Sequence, residues 1–146
     1  MSGEGNILQF KIDGKPIAKQ SMKFTRGGHK YTPAHIVEYS NYVKMCFKMA
    51  YPNHTPQVFE NTPLDVNIKV TFQIPSTFSK KKHSQATCGT LRPLVKPDLD
   101  NISKNILDSL NGLAYHDDKQ IVSLNVEKFY GDEPNVIVSI MEVNNG

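Results

Sequence analysis

The sequence contains no tryptophan, only two cysteines and no long apolar run. Cys46 and Cys88 stand far apart, and we expect both to be free thiols in a reducing compartment. No stretch approaches the roughly 20 apolar residues that a membrane-spanning helix needs. The first residues also lack the basic and apolar regions of a signal peptide. We therefore expect a cytoplasmic protein that does not act at a membrane.

Acidic residues are missing from a long central stretch, because none lies between Asp65 and Asp98. Residues 1–97 contain 14 Lys and Arg against 5 Asp and Glu, whereas residues 98–146 contain 3 against 9. A basic part beside a carboxylate-rich part suits a protein that holds a polyanion against a cation site. An ordinary solvated surface gives similar counts, so the charge asymmetry indicates a function only together with the motifs described below.

The length of 146 residues is close to that of one ordinary domain, and we predict a single domain over 1–146. Strand-type composition predicts strands at about 7–13, 64–74, 120–130 and 136–143. Apolar residues at helical spacing predict helices at 33–50, capped by Thr32, and at 98–111. Residues 76–96 are predicted to form a basic, mobile loop that holds at most a short helix.

The order β-α-β-α-β-β predicts an α+β fold in which a mixed, mostly antiparallel sheet packs with two main helices. The last two strands are separated by Gly131-Asp132-Glu133-Pro134, which has the composition of a tight turn. We therefore predict that these two strands pair as a hairpin.

Two pairs of aspartates flank the second predicted helix: Asp98 and Asp100 stand at its start, and Asp117 and Asp118 follow its end. Mg²⁺ prefers oxygen ligands, usually one or two carboxylates with waters and a phosphate. A bound divalent ion also makes a water more acidic, as phosphodiester hydrolysis requires. Lys104 shares a helix face with Asp100, where it can form an ion pair or place its ammonium group against a phosphate.

Each of these residues also has a purely structural explanation. An aspartate at a helix start commonly caps the helix, and Asp100 with Lys104 is an ordinary surface pair. A helix of about 14 residues is about 21 Å long, which would keep the two aspartate pairs apart. They converge only if the loop after the helix doubles back to the helix start, or if a second subunit completes the site.

The order and spacing of these residues resemble the signature of RusA-like endodeoxyribonucleases. That signature has a P-D-x-D-N helix start (97–101 here), a lysine farther along (104), a D-x-L-N-G helix end (108–112) and a D-D-x-Q strand entry (117–120). Looser similarity covers F-x-I-x-G-K-P-x-x-K at 10–19 and the stretch 74–82. The resemblance therefore spans most of the chain and implies a RusA-like fold.

The resemblance implies a homodimeric nuclease that resolves Holliday (four-way) junctions in DNA recombination and repair, encoded by a bacterium, phage or prophage. Its cofactor would be Mg²⁺, with Mn²⁺ as a substitute. The catalytic residues would be Asp98, Asp100, Asp118 and Lys104, and the metal ligands would be the same three aspartates with Asp117. For contact with the DNA backbone we predict a set of basic residues: Lys19, Lys23, Arg26, Lys30, Lys80, Lys81, Lys82, Arg92 and Lys96.

Other functions stay open from the sequence. The chain could cut other branched DNA, such as flaps or forks, or bind junctions without catalysis, its aspartates serving as caps. A metal–nucleotide enzyme using Asp98-Leu99-Asp100 is a further alternative, but no glycine-rich phosphate loop accompanies it. The five histidines show no ligand spacing, and His116 is considered only for a contact with phosphate.

Overall fold

The computed structural model describes residues 6–17, 23–24, 28, 30–31 and 34–143. Short 3₁₀ helices occupy Pro56–Phe59 and Asp118–Gln120. None of the helices in the described residues is long and apolar enough to cross a bilayer. The strands and α-helices follow in this order: β1 (Ile7–Asp13), β2 (Lys23–Phe24), β3 (Lys30–Tyr31), α1 (Ala34–Ala50), β4 (Leu64–Gln73), α2 (Lys80–Cys88), α3 (Leu99–Ser109), β5 (Ile121–Gly131) and β6 (Asn135–Glu142).

The main sheet has four strands in the order β1-β6-β4-β5, and β2 pairs with β3 in a separate small sheet. β6 runs antiparallel to both β1 and β4, whereas β4 and β5 are parallel. A parallel pair needs a long crossover connection, which α2 and α3 provide between β4 and β5. The predicted α+β class with a mixed, mostly antiparallel sheet is confirmed.

The predicted hairpin of the last two strands is wrong, because β4 lies between β5 and β6. Every second residue of β4, from Leu64 to Phe72, is buried, so this strand gains most from a central position in the sheet. Thr71 pairs with Asn135 on one side and with Phe129 on the other. A side chain at Gly131 would collide with β4, since its Cβ would lie 2.6 Å from Thr71 Cγ2.

One face of the sheet packs against α1 and α3 and forms the core. β1 and β6 bury alternate residues there, as the period of a half-exposed strand requires. The Ser40 and Ser109 hydroxyl oxygens lie 2.7 Å apart and join the two helices. Both helices bury most of the apolar stripe that their spacing predicts, although Ala50 is exposed and Leu99 half-buried. The buried members are Ile36, Tyr39, Val43 and Phe47 from α1, and Ile102, Ile106 and Leu107 from α3.

Part of the predicted basic loop is helical, since residues 80–88 form α2. The Ser79 hydroxyl caps this helix by accepting a hydrogen bond from the Lys82 N–H at 3.2 Å. Gly89 ends it with a φ of 88°, a left-handed conformation that glycine adopts without strain. The mobility of 76–96 stays a prediction. The predicted cap of the first helix, Thr32 with Pro33, lies outside the described residues.

Candidate active site

Asp98 is the N-cap of α3 and Asp100 lies in its first turn, so both stand at the helix start as the sequence predicts. The Asp98 side chain caps the helix by accepting a hydrogen bond from the Asn101 N–H at 3.2 Å. Asp100 Oδ2 lies 3.3 Å from Lys104 Nζ, and the two side chains remain 74% and 61% exposed. Asp98 is also exposed, so both carboxylates are accessible from solvent, at the helix end where the dipole favours negative charge.

Asp117 and Asp118 lie in the turn that leads into β5. Asp117 caps the 3₁₀ helix by accepting a hydrogen bond from the Lys119 N–H at 2.9 Å. The Asp118 N–H donates to Asn111 Oδ1, also at 2.9 Å, and Asn111 follows α3 by two residues. The turn is therefore attached to the C-terminal end of α3.

The fold shifts the pKa values of these adjacent aspartates in opposite directions. Burial raises the pKa of Asp118, and a hydrogen bond with Asp117 and the negative charge of that residue raise it further. The hydrogen bond from the Lys119 N–H lowers the pKa of Asp117. Asp108, in the last turn of α3, also raises the pKa of Asp118. Three carboxyl groups thus interact where the negative end of the helix dipole already disfavours anions.

The helix α3 holds the two aspartate pairs apart within one chain. It has 11 residues and at 1.5 Å per residue is about 16 Å long, with one aspartate pair near each end. The loop after α3 does not return to the helix start, because the buried Tyr115 hydroxyl donates to the Leu107 carbonyl at 2.7 Å. Among the described residues no three His, Cys, Asp or Glu side chains are arranged to hold a metal ion.

The basic residues predicted to contact DNA differ in their contacts within the chain. Lys80, Lys81 and Lys82 are exposed in the first turn of α2, and Lys96 is exposed just before α3. Arg92 instead packs 3.9 Å from the centre of the Phe129 ring and pairs with Glu127 at 3.5 Å.

The guanidinium of Arg92 also donates to the Lys128 carbonyl, which fixes the segment before α3 against β5. Lys23 and Lys30 lie in the small β2–β3 hairpin. Lys19 and Arg26 lie outside the described residues.

Gln120 organises the turn around Asp117, a role that was not predicted from the sequence. Its Oε1 accepts hydrogen bonds from the His116 and Asp117 N–H groups at 3.0 and 3.2 Å. Its Nε2 donates to the Phe59 and Thr62 carbonyls at 2.7 and 3.1 Å. The aspartate three residues before Gln120 was the available signal, since this spacing is typical of a capping box.

Asp108 and Asn111 were missed as neighbours of Asp118. Both belong to the D-x-L-N-G helix end at 108–112. Their contacts with Asp118 depend on the path of the loop between 112 and 117, which no local spacing predicts.

Comparison with known proteins gives one curated relative and one matching family model. The chain is 38% identical over 144 residues to the uncharacterized protein YqaN of Bacillus subtilis (strain 168), and the alignment covers 95% of this chain and 99% of that relative. The family model described as endodeoxyribonuclease RusA matches residues 13–141, a range that contains both aspartate pairs and α3 between them. This chain therefore belongs to the RusA family of endodeoxyribonucleases, which are hydrolases.

Proposed function

We propose that this protein is a Mg²⁺-dependent endonuclease that resolves four-way DNA junctions by phosphodiester hydrolysis, in DNA recombination and repair. The observation that carries the proposal is the placement of the four aspartates within the RusA family match, exposed or half-exposed at the two ends of one helix. The intact carboxylate set favours an enzyme over a junction-binding protein without catalysis.

The donor set fits a hard divalent cation, because it consists of carboxylate oxygens without thiolate or imidazole. Asp98 and Asp100 would hold the ion together with Asp118, and Asp117 would support them. When bound, Mg²⁺ (or Mn²⁺) supplies a more acidic water and offsets charge on the scissile phosphate. The cap at Asp98 fixes the orientation of its carboxylate through the Asn101 N–H, before any ion is bound.

Lys104 contributes positive charge next to the first pair of carboxylates. Its ammonium lies 3.3 Å from Asp100, but the side chain is 61% exposed, so it can move to a phosphate without leaving a buried partner. Positive charge placed where negative charge develops stabilises a transition state. We assign Lys104 to contact with the scissile phosphate, and Lys80, Lys81, Lys82 and Lys96 to the flanking backbone, together with the predicted Lys19, Lys23, Arg26 and Lys30.

A second subunit is part of the proposal. Carboxylates that share one Mg²⁺ each lie about 2.1 Å from it, whereas the aspartate pairs of one chain lie near opposite ends of a helix about 16 Å long. The proposed homodimer therefore combines Asp98 and Asp100 of one chain with Asp118 of the partner subunit. A dimer with two-fold symmetry would present two such sites, matching the approximate two-fold symmetry of a four-way junction.

Asp98→Asn tests this function. Asparagine caps a helix as well as aspartate does, so α3 should be preserved while the carboxylate is lost. We expect the variant to bind junction DNA but to cut it at least about a hundredfold more slowly with Mg²⁺. Asp132→Asn, in the exposed turn before β6, is the matched control and should cut normally.

Survival of cleavage in Asp98→Asn would show that the assigned carboxylate is not required. Running the same assay on flaps, forks and plain duplex tests the substrate. If one of these substrates were cut faster than the junction, cleavage of that substrate, and not junction resolution, would be the activity of the protein.

A further inference from the structure

We propose that Lys15 is a further DNA-contacting residue of the site at the start of α3, and that Asn105 is the positioning residue that holds the segment carrying Lys15 in place. The proposal rests on the proposed function for the identity of the substrate. The placement of the segment rests on strand pairing, burial and hydrogen bonds within the chain.

The end of β1 belongs to a row of paired residues that crosses the whole main sheet. Asp13, the last residue of β1, pairs with Asn135 of β6, and Asn135 pairs with Thr71 of β4. Thr71 in turn pairs with Phe129 of β5. The chain therefore leaves β1 at the same end of the sheet at which Phe129 lies.

The segment that enters α3 is attached at this same end of the sheet. Lys128 directly precedes Phe129, and its Nζ donates to the Val95 carbonyl at 2.6 Å. Val95 stands three residues before Asp98, the cap of α3. The chain leaving β1 and the helix start with Asp98 and Asp100 are therefore on the same side of the molecule.

Contacts at several positions hold the segment that follows β1. The Gly14 N–H donates to the Pro134 carbonyl at 2.9 Å, and Gly14 has a φ of 100°, at which glycine turns the chain without strain. Pro16 is buried, and Ile17 packs half-buried against the core. The Ile17 carbonyl accepts a hydrogen bond from Asn105 Nδ2 at 2.8 Å. The segment thus crosses from the sheet to the middle of α3.

Lys15 is the exposed side chain of this segment. It lies two residues before Ile17, so the two Cα atoms are at most about 7 Å apart. Lys104, which pairs with Asp100, directly precedes Asn105 in α3. Within the described part of the chain the ammonium group of Lys15 belongs to no ion pair. It can therefore meet a phosphate of DNA bound at the start of α3.

Asn105 carries a buried amide that packing of the core does not require. Only 3% of its surface is exposed, and Ile102 and Ile106 on the same helix are fully buried. An amide that is buried without a hydrogen bond costs free energy, whereas an apolar side chain would fill the same place without that cost. The hydrogen bond to the Ile17 carbonyl accounts for the amide, so Asn105 fixes where the chain that leaves β1 meets α3.

Positive charge beside the aspartates has a clear role in binding DNA. Asp98 and Asp100 repel the phosphates of an approaching backbone, and nearby cations offset that repulsion. Lys104 supplies one such charge from α3 itself. Lys15 supplies a second from a segment that is fixed to the same helix.

Lys15→Ala tests the contact. We expect the Kd for labelled four-way junction DNA, measured by fluorescence anisotropy in EDTA, to rise about three- to eightfold in about 0.1 M salt. The slope of log affinity against log salt should become shallower by about 0.9. Lys11→Ala is the matched control, because Lys11 pairs with Asp13 at 3.4 Å on the solvent face of β1, and it should bind as the unmodified chain does.

Asn105→Leu tests the positioning role, since leucine is similar in size to asparagine but cannot donate to the Ile17 carbonyl. We expect a rise in Kd similar to that of Lys15→Ala, with kcat at saturating junction DNA and Mg²⁺ changed less than about twofold. In a chain that already carries Lys15→Ala, Asn105→Leu should add little, because both changes remove the same contact. In a chain that carries Lys80→Ala its full effect should remain.

An unchanged Kd and salt slope in Lys15→Ala would overturn the contact, and this exposed substitution gives that answer even if Asn105→Leu fails to fold. If Asn105→Leu lowers kcat without raising Kd, or weakens binding equally in the Lys15→Ala and Lys80→Ala chains, its role is only structural and the positioning role falls.

These outcomes are distinct from failure of the proposed function, because binding is measured without Mg²⁺. If Lys15→Ala weakens binding as expected but Asp98→Asn still cuts, the contact stands and the function falls. If cutting depends on Asp98 but Lys15→Ala binds normally, the function stands and the contact falls.

Discussion

Asp118 is an aspartate whose ionised form the folded protein disfavours, first through burial and then through Asp117 and Asp108. Its pKa is therefore higher in the folded than in the unfolded chain. Such a carboxyl contributes stability below its unfolded pKa, and that contribution is lost as the pH rises through the raised folded pKa. Replacing Asp118 by a neutral side chain removes this loss of folding stability with rising pH.

We expect Asp118→Asn to gain stability relative to the unmodified protein as the pH rises from about 3 to 7. Urea unfolding in EDTA at several pH values measures the difference. In an Asp117→Asn background the gain should be smaller, because Asp117 is one cause of the raised pKa. A stability difference that is constant over this pH range would contradict the prediction.

Gln120 is the residue on which the position of the Asp117–Asp118 turn depends most directly. Its side chain makes four hydrogen bonds, two to backbone N–H groups of the turn and two to backbone carbonyls of the segment before β4. Gln120→Ala leaves these groups without that partner, so we expect the free energy of unfolding to fall by about 1–3 kcal/mol and DNA cleavage to fall with it.

The control is Gln73→Ala, at the exposed end of β4, which should change stability by no more than about 0.5 kcal/mol. Gln120→Glu separates the two halves of the network. It keeps an acceptor for His116 and Asp117 but directs an oxygen at the Phe59 and Thr62 carbonyls. If both Gln120 variants were as stable as the unmodified protein, the turn would be held by other contacts.

At the scale of elements, the first turn of α2 carries three lysines and no acidic residue. Positive charge at a helix N-terminus opposes the helix dipole, so folding does not account for these side chains. Their proposed partner, the DNA backbone, does.

Lys80→Ala combined with Lys81→Ala should therefore leave the fold as stable as before, or slightly more stable. The slope of log affinity against log salt should become shallower by up to about 0.9 for each phosphate that the variant no longer neutralises. Fluorescence anisotropy with labelled junction DNA at several salt concentrations measures this slope. Lys11→Ala, on the exposed face of β1, should leave it unchanged. An unchanged slope in the double variant would exclude α2 from the DNA interface.

Most elements were predictable because their signals are local. Each strand or helix shows a pattern that depends only on which of its faces is buried. The strands alternate along 7–13 and 64–73, and the apolar residues of α3 recur at helical spacing. α2 lacked such a signal, since Ala86 is its only buried residue and the helix depends on a cap at each end. The order of strands was not predictable, because the alternation in β6 is satisfied equally by β5 or by β4 as a neighbour.

At the scale of the whole molecule, the candidate site was only half predictable. The spacing of Asp98, Asp100 and Lys104 follows from one helix, so sequence reasoning placed these three correctly on its first two turns. The relation of Asp118 to them depends on the loop from 110 to 117, where Tyr115 is buried and bonded to Leu107. That loop keeps the turn at the far end of α3, and in the proposed dimer a second chain brings the pairs together.

A mixing experiment separates a site shared between subunits from a site within one chain. Asp98→Asn and Asp118→Asn should each be inactive alone. In their heterodimer one shared site contains both changes, whereas the other contains neither. Random mixing makes half of the dimers mixed, so about a quarter of all sites should regain activity.

Co-refolded variants and a nicking assay on junction DNA with Mg²⁺ measure the recovery. The control mixes Asp98→Asn with Asp100→Asn, which lie on the same side of the shared site. Every site in that heterodimer keeps one change, so no activity should return. Recovery only in the first mixture requires that Asp118 act in trans to Asp98. If neither mixture recovers while both retain the dimer mass and junction binding, the carboxylates act within one chain, and α3 must then rearrange on binding DNA.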